Sequence, residues 1–260
     1  MSKRKEDYQK PMNEKRRLAM TPQAAYNRLR AGNDRYTGKY LEPDKKDGPR
    51  VRKRGNASNN FISKSANGQN PFAMVLSCVD SRIPTEVIFD QEIGDIFNAR
   101  IAGNFVNADI LGSMEFAAGY IKLIVVMGHT ACGAVDAACA AVHPRPTCGD
   151  KETDVEQEPS PTPSNLLQLV DKLIYPVVAT PFVPVEEEKD ECEHWDNYVN
   201  TVAEANVRKT MNDILSRSPL LRHRITDNLE DKQKIGLVGA IYNVANGQVT
   251  FLNGGVPVSV

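Results

Sequence analysis

Short apolar runs, spaced by segments of helical periodicity, constrain this chain more than anything else in it. Leu123-Ile124-Val125-Val126-Met127 is the clearest. Phe72-Ala73-Met74-Val75-Leu76, bounded by Pro71 and a polar cluster, and Ile235 to Tyr242 repeat the pattern. Each has the length of a strand and none alternates with polar residues, which is expected of strands buried on both faces of a parallel sheet. Ile96 to Ile101, closed by Gly103, reads as a further strand. Between the runs lie a short helix opened by Pro84 and ending near Phe89, and a helix over Ile110 to Tyr120 with Leu111, Met114, Ala117 and Ala118 on one side. A small-residue helix follows over Ala134 to Val142, and a long amphipathic one over Val199 to Leu215 carries Val202, Ala205, Val207 and Met211. Strands alternating with helices imply right-handed βαβ units. The fold class is therefore α/β, a mostly parallel central sheet flanked by helices. Asn246-Gly247 ahead of Val249 to Leu252 adds a C-terminal antiparallel hairpin.

The regions around this core divide the chain. Residues 1–20 are polar and aperiodic and read as a mobile basic tail. Residues 21–260 form one catalytic domain. Its N-terminal part, 21–70, begins with a helix capped by Thr21, started at Pro22 and interrupted by Gly32 and Gly38. An extended arm follows from Glu42 to Asn70. Residues 143–196 read as a Pro-rich acidic surface insertion holding one helix, Ser164 to Ile174. The first fifty residues are basic and Asp150 to Asp196 acidic, yet the formal net charge is −1. That balance argues against nucleic-acid and membrane partners, and both segments read as solvated surface. No apolar run is long enough to span a bilayer and no apolar h-region follows the N-terminus, so a cytoplasmic location is expected. Five cysteines, an odd number without a secreted disulfide pattern, suit metal ligation, catalysis or burial.

Two segments hold the chemistry. Cys78-Val79-Asp80-Ser81-Arg82 and Gly128-His129-Thr130-Ala131-Cys132-Gly133 each begin where a buried strand ends. Ligands of open parallel sheets bind outside the carboxyl ends of the strands. Neighbouring strands would thus bring Cys78 and His129 to one crevice, and one turn brings Cys132 to the same point. Thiolate and imidazole are preferred zinc ligands, and three protein ligands with an open fourth position mark a catalytic site. Two thiolates and a neutral imidazole offset the charge of the ion. Electron-rich thiolates weaken its acidification of water, so activity should rise toward alkaline pH. If the chain stays extended past Cys78, Asp80 and Arg82 fall on its side. Asp80 can orient the attacking oxygen and Arg82 keeps it ionised. A structural site with Cys139 as fourth ligand is the competing reading, but Cys139 lies about 10 Å up the helix axis from Cys132. Cys148 and Cys192 read as chemically idle, and His143, His194 and His223 as surface groups.

Cys78-x-Asp80-x-Arg82 and His129-x-x-Cys132-Gly133 resemble the signatures of the β-class carbonic anhydrases, over about Thr21 to Val142 and Val199 to Leu252. Gly94 to Asn104 is similar to that family's second strand and turn. The resemblance implies one Zn2+ per chain and reversible hydration of carbon dioxide to bicarbonate and a proton by zinc-bound hydroxide, with Asp80 and Arg82 as orienting dyad. It also implies a homodimer or an assembly of dimers with the cleft at the interface. Within the family, Val75 in place of a tryptophan, with Gln69 and Phe97 as substrate-pocket residues, matches the type whose fourth zinc position is left for water. Phe116 replaces a tyrosine often found there, removing one hydrogen-bond donor, and Gly133 completes the pocket set. Hydrolysis of carbonyl sulfide or carbon disulfide on the same zinc, and a non-catalytic family scaffold, are the alternatives; sulfide release, or stoichiometric zinc without hydration, would favour one or the other.

Overall fold

A computed structural model of the chain describes residues 12–38, 66, 68–147, 164–183 and 191–252. The start of the basic tail, most of the arm, much of the acidic insertion and Cys148 lie outside the described residues. Strands β1 (Ala73–Ser77), β2 (Ile96–Arg100), β3 (Leu123–His129), β4 (Gly236–Tyr242) and β5 (Val249–Phe251) form one sheet in the order β2-β1-β3-β4-β5. The first four run parallel and β5 closes the sheet antiparallel to β4, as the apolar runs and the Asn246-Gly247 turn predict.

Helices cover both faces. In chain order they are α1 (Glu14–Leu18), α2 (Pro22–Tyr36), α3 (Thr85–Ile88), α4 (Ala108–Ala117), α5 (Gly133–Ala140), α6 (Ser164–Ala179), α7 (Glu191–Arg217) and α8 (Pro219–Thr226). Every residue of β1 and β3 is buried. Successive side chains alternate between two core layers. Val75, Val125, Met127 and Val238 pack in one layer with Leu29 of α2 and Val135 of α5. Leu76, Ile124, Val126 and Leu237 pack in the other with Met114 of α4 and Leu221 of α8. Helix α7 serves both layers, through Trp195, Val199 and Val202 in the first and Val207, Met211 and Ile214 in the second. Glycine lets it lie close to the sheet: a Cβ on Gly128 would stand 2.9 Å from Val207 Cγ2, and one on Gly239 2.9 Å from Met211 Sδ. The helix that reaches the ligand loops is thus seated directly on the strands that carry them. Among the described residues no helix is long and apolar enough to cross a membrane.

The structure departs from the sequence expectations in five places. Helix α1 lies inside the expected tail. Asn13 caps it by accepting from the Arg16 amide at 2.9 Å, and the Arg17 guanidinium donates to the Tyr120 carbonyl at 2.9 Å. Five residues are too few for a period to show, so only these anchors reveal it. Helix α2 starts at its Thr21 cap as expected but is not interrupted at Gly32. There the missing Cβ makes room for the Phe89 carbonyl, 1.8 Å from where that atom would stand. The insertion is not all surface. Helix α6 continues through Pro176 because Leu173 and Val177 are fully buried, and α7 already begins at Glu191 with Trp195 in the core. His143 is half-buried rather than superficial, its ring 4.9 Å from that of Phe182 and 5.6 Å from that of Tyr198. Cys192 is disulfide-bonded, not idle. Helix α8, which follows α7 directly, is capped by Ser218.

Candidate metal centre

Three chain segments deliver the ligands. Cys78 is the first residue past β1, His129 the last of β3 and Cys132 the N-cap of α5. The three are buried, 4%, 0% and 1% exposed, and their donor atoms lie within 4.8 Å of one another. Tetrahedral zinc with S and N ligands at about 2.3 and 2.0 Å needs donors a little under 4 Å apart, so modest side-chain adjustment suffices. The donor set itself fits the ion. His129 Nδ1 lies 2.9 Å from the Thr130 carbonyl, which can only accept, so Nδ1 carries the proton and Nε2 presents its lone pair. That Nε2 is buried without a hydrogen-bond partner. Cys139 is buried and free but does not belong to the group, which removes the four-ligand alternative.

The thiols prepare each other for a cation. Cys78 is drawn down to about 4, first by its hydrogen bond with the Cys132 thiol and then by His129 and the amides of Gly103 and Asp80. Cys132 is pushed up, first by the same hydrogen bond with Cys78 and then by burial, against the pull of the Ala134 and Val135 amides at the start of α5. A dication bound between the two sulfurs would hold both as thiolates and release their protons.

Asp80 and Arg82 stand beside the ligands. Asp80 Oδ1 accepts from Arg82 Nε at 2.9 Å and from the Arg82 amide at 2.9 Å, and Oδ2 accepts from Arg82 Nη2 at 2.6 Å. This two-pronged pairing holds the Asp80 carboxyl at about 2, below the usual carboxylate range. Arg82 also donates to the Ala131 carbonyl at 3.2 Å, tying the first ligand loop to the second. Gly133, exposed at the start of α5, adjoins Cys132.

The remaining residues expected in the pocket lie elsewhere in the single chain. Phe97 pairs across β1 with Met74, four residues before Cys78, about 13 Å back along the strand. Its ring lies 6.3 Å from Phe116 and 6.1 Å from Tyr120, and Phe116 is 65% exposed. Gln69 is exposed beside Gly94, ahead of β1. One chain therefore brings together Cys78, Asp80, Arg82, His129 and Cys132, and leaves Gln69, Phe97 and Phe116 at the other end of the strands.

Three residues at the centre escaped the sequence reading. Arg100 donates to the Cys78 carbonyl at 3.0 Å and the Asp80 carbonyl at 2.5 Å, bracing the first loop. Asn200 accepts from the Ala131 amide at 3.0 Å, holding the second loop at a residue with φ of +52°. Asn206 donates to the Gly103 carbonyl at 2.7 Å. Asn206 had a signal: it falls four residues after Val202 and four before Thr210, on the buried stripe of α7.

Comparison with known proteins supplies a family. A family model described as carbonic anhydrase matches residues 73–249. Carbonic anhydrase 2 of Mycobacterium tuberculosis is 37% identical over 144 residues, 54% of this chain and 64% of that protein. A carbonic anhydrase of Mycolicibacterium smegmatis is 38% identical over 124 residues, 46% of this chain and 54% of that one. The matched part thus spans less than two thirds of the length of these relatives. Among solved structures, a β-carbonic anhydrase of Coccomyxa in complex with acetazolamide aligns with a TM-score of 0.55 at 23% identity, covering 75% of this chain and 77% of that one. A tetrameric β-carbonic anhydrase of Sordaria macrospora aligns at 0.53 and 22% identity, covering 75% and 87%. At such identities these structures establish the shared α/β fold.

Proposed function

The chain belongs to the β-class carbonic anhydrase family, and from that premise we propose that it catalyses reversible hydration of carbon dioxide to bicarbonate and a proton at a zinc ion held by Cys78, His129 and Cys132. The observation that carries the reading is the buried group of three donors, with His129 Nε2 left unpartnered, directly beside the ion-paired Asp80 and Arg82. Zinc there would supply a Lewis acid and a water acidified toward the neutral range. The residues of the chain do the rest. Burial of the three ligands excludes bulk water from the donor side. Asp80, held ionised and oriented by Arg82, accepts a hydrogen bond from the attacking oxygen and turns its lone pair toward the carbon. Because both Asp80 oxygens are engaged by Arg82 and Asp80 is not part of the ligand group, the arrangement favours the type in which the fourth zinc position is left for water.

Gln69, Phe97 and Phe116 enter this reading through a second copy of the chain. Their distance from the ligands within one chain, and the exposed aromatic face formed with Tyr120, support a homodimer in which each chain lends these residues to the cleft of its partner. The test is zinc content with paired assays of carbon dioxide hydration and of sulfide release from carbonyl sulfide. The expected result is one zinc per chain and hydration that rises from pH 6 to 9. Stoichiometric zinc with sulfide release alone, or with neither activity, would overturn the reading.

A further inference from the structure

We propose that Asn206 is a positioning residue for the metal centre, acting on Cys78 through the backbone of Gly103; the inference rests on the zinc reading above. The connection is short. The Gly103 N–H donates to Cys78 Sγ at 3.4 Å, and the Gly103 carbonyl accepts from Asn206 Nδ2 at 2.7 Å. Asn206 touches neither ligand nor reacting atoms. It grips one of the two residues, Gly103 and Asp80, whose amides point at the ligand sulfur.

That residue needs holding. Gly103 has a φ of +77° and is followed by Asn104 at +42°, so two left-handed residues stand in succession. The carbonyl that Asn206 grips lies in the peptide between them. A non-glycine residue in that region is strained, and glycine has the widest range of rotations open to it, so an unrestrained Gly103 would relax and turn its N–H off the sulfur. On its other side Gly103 is covered by Leu173, whose Cδ1 would stand 2.7 Å from a Cβ placed there. The turn is therefore clamped between α6 and α7.

Asn206 is also an uneconomical choice for packing alone. It is 1% exposed on a stripe with Val202, Val207 and Thr210, and its Oδ1 is buried with no hydrogen-bond partner. An apolar side chain would spare that unpaired oxygen. The asparagine is explained by the donor it offers to Gly103. Asn200, two turns earlier on α7, makes a matching contact with the second ligand loop at the Ala131 amide. One helix thus touches both sides of the centre.

A hydrogen bond to a metal-bound thiolate withdraws electron density from sulfur, and outer-shell groups of this kind typically change metal affinity 10- to 100-fold. The experiment uses the full chain loaded with cobalt(II), as wild type, Asn206→Ala and Asn206→Leu, the last keeping the branched side-chain shape. With the Gly103 N–H released, the sulfur-to-cobalt charge-transfer band should move to longer wavelength, and the zinc-loaded variants should lose metal to a chelator about tenfold faster. Loss of packing alone would not move the band. Should neither variant fold, wild type loaded with cadmium-113 gives an independent reading: the Gly103 amide proton should show through-hydrogen-bond coupling to the metal. Cobalt bound as in wild type with an unmoved band and unchanged release, or no such coupling, overturns this inference alone. A wild-type chain that takes up no cobalt or zinc overturns the metal reading and this inference with it.

Discussion

His129 is fully buried, with one ring nitrogen committed to the Thr130 carbonyl and the other without a protein partner. Leaving such a nitrogen unpaired costs about 1–3 kcal/mol, which a bound cation offsets. Zinc at a hundredfold excess over its Kd should stabilise the fold by about 2.7 kcal/mol, read as a rise in Tm that a chelator reverses. Cys78→Ser should abolish that rise; a variant that still gains stability from zinc would refute the ligand set. Asp80 gives a second prediction at this scale. Its folded value, about 2, is below the ordinary 3.8 because Arg82 binds its charged form. The pair's contribution to stability is therefore complete above about pH 4 and is lost as pH falls through 2. In Arg82→Ala, the carboxyl carbon of Asp80 followed by NMR should titrate near 3.8, and an unchanged midpoint would show that Arg82 is not the cause. The ligands and the dyad were legible in the sequence because they occur as compact motifs at strand ends. Arg100 and Asn200 were not, since each acts on a backbone atom at least 20 residues away and no local spacing marks such a contact, while Asn206 showed only as a polar residue on the buried stripe of α7.

Among the elements, the inner strands β1, β3 and β4 were legible almost to the residue, because a run buried on both faces cannot tolerate polar interruption. Helix limits were less so. Gly32 and Pro176 look like breaks, yet α2 and α6 pass through them where tertiary contacts outweigh local propensity. What fixes α2 against the sheet is also non-local. Arg28, on its buried side, donates to Asp95 Oδ2 at 3.1 Å and to Gln91 Oε1 at 2.8 Å, in the turn that leads into β2. The Arg28 and Asp95 side chains are 5% and 4% exposed. Removing one partner of a buried pair leaves a charge stranded, so Arg28→Met should cost about 3–5 kcal/mol in urea unfolding. Arg28→Met with Asp95→Leu should recover much of that loss. A single variant as stable as wild type would show that the pair does not hold α2 in place.

Taking the molecule as a whole, a mostly parallel sheet carries the three-donor group at its carboxyl edge, and the proposed cleft draws on two copies of the chain. The family's pocket positions, Gln69, Phe97 and Phe116, stand at the opposite end of the strands, with Phe116 presented to solvent. The motif residues were readable one by one, but a single sequence does not say which copy of the chain supplies each to a cleft. The active species should therefore sediment as a dimer or larger, and a monomer with full hydration activity would contradict that assembly. The proposed reaction needs both the ion and Asp80, so the decisive measurement is stopped-flow carbon dioxide hydration of Asp80→Asn alongside its zinc content. One zinc per chain with hydration reduced about 10- to 100-fold is expected; full activity in Asp80→Asn would show that Asp80 has no part in the reaction.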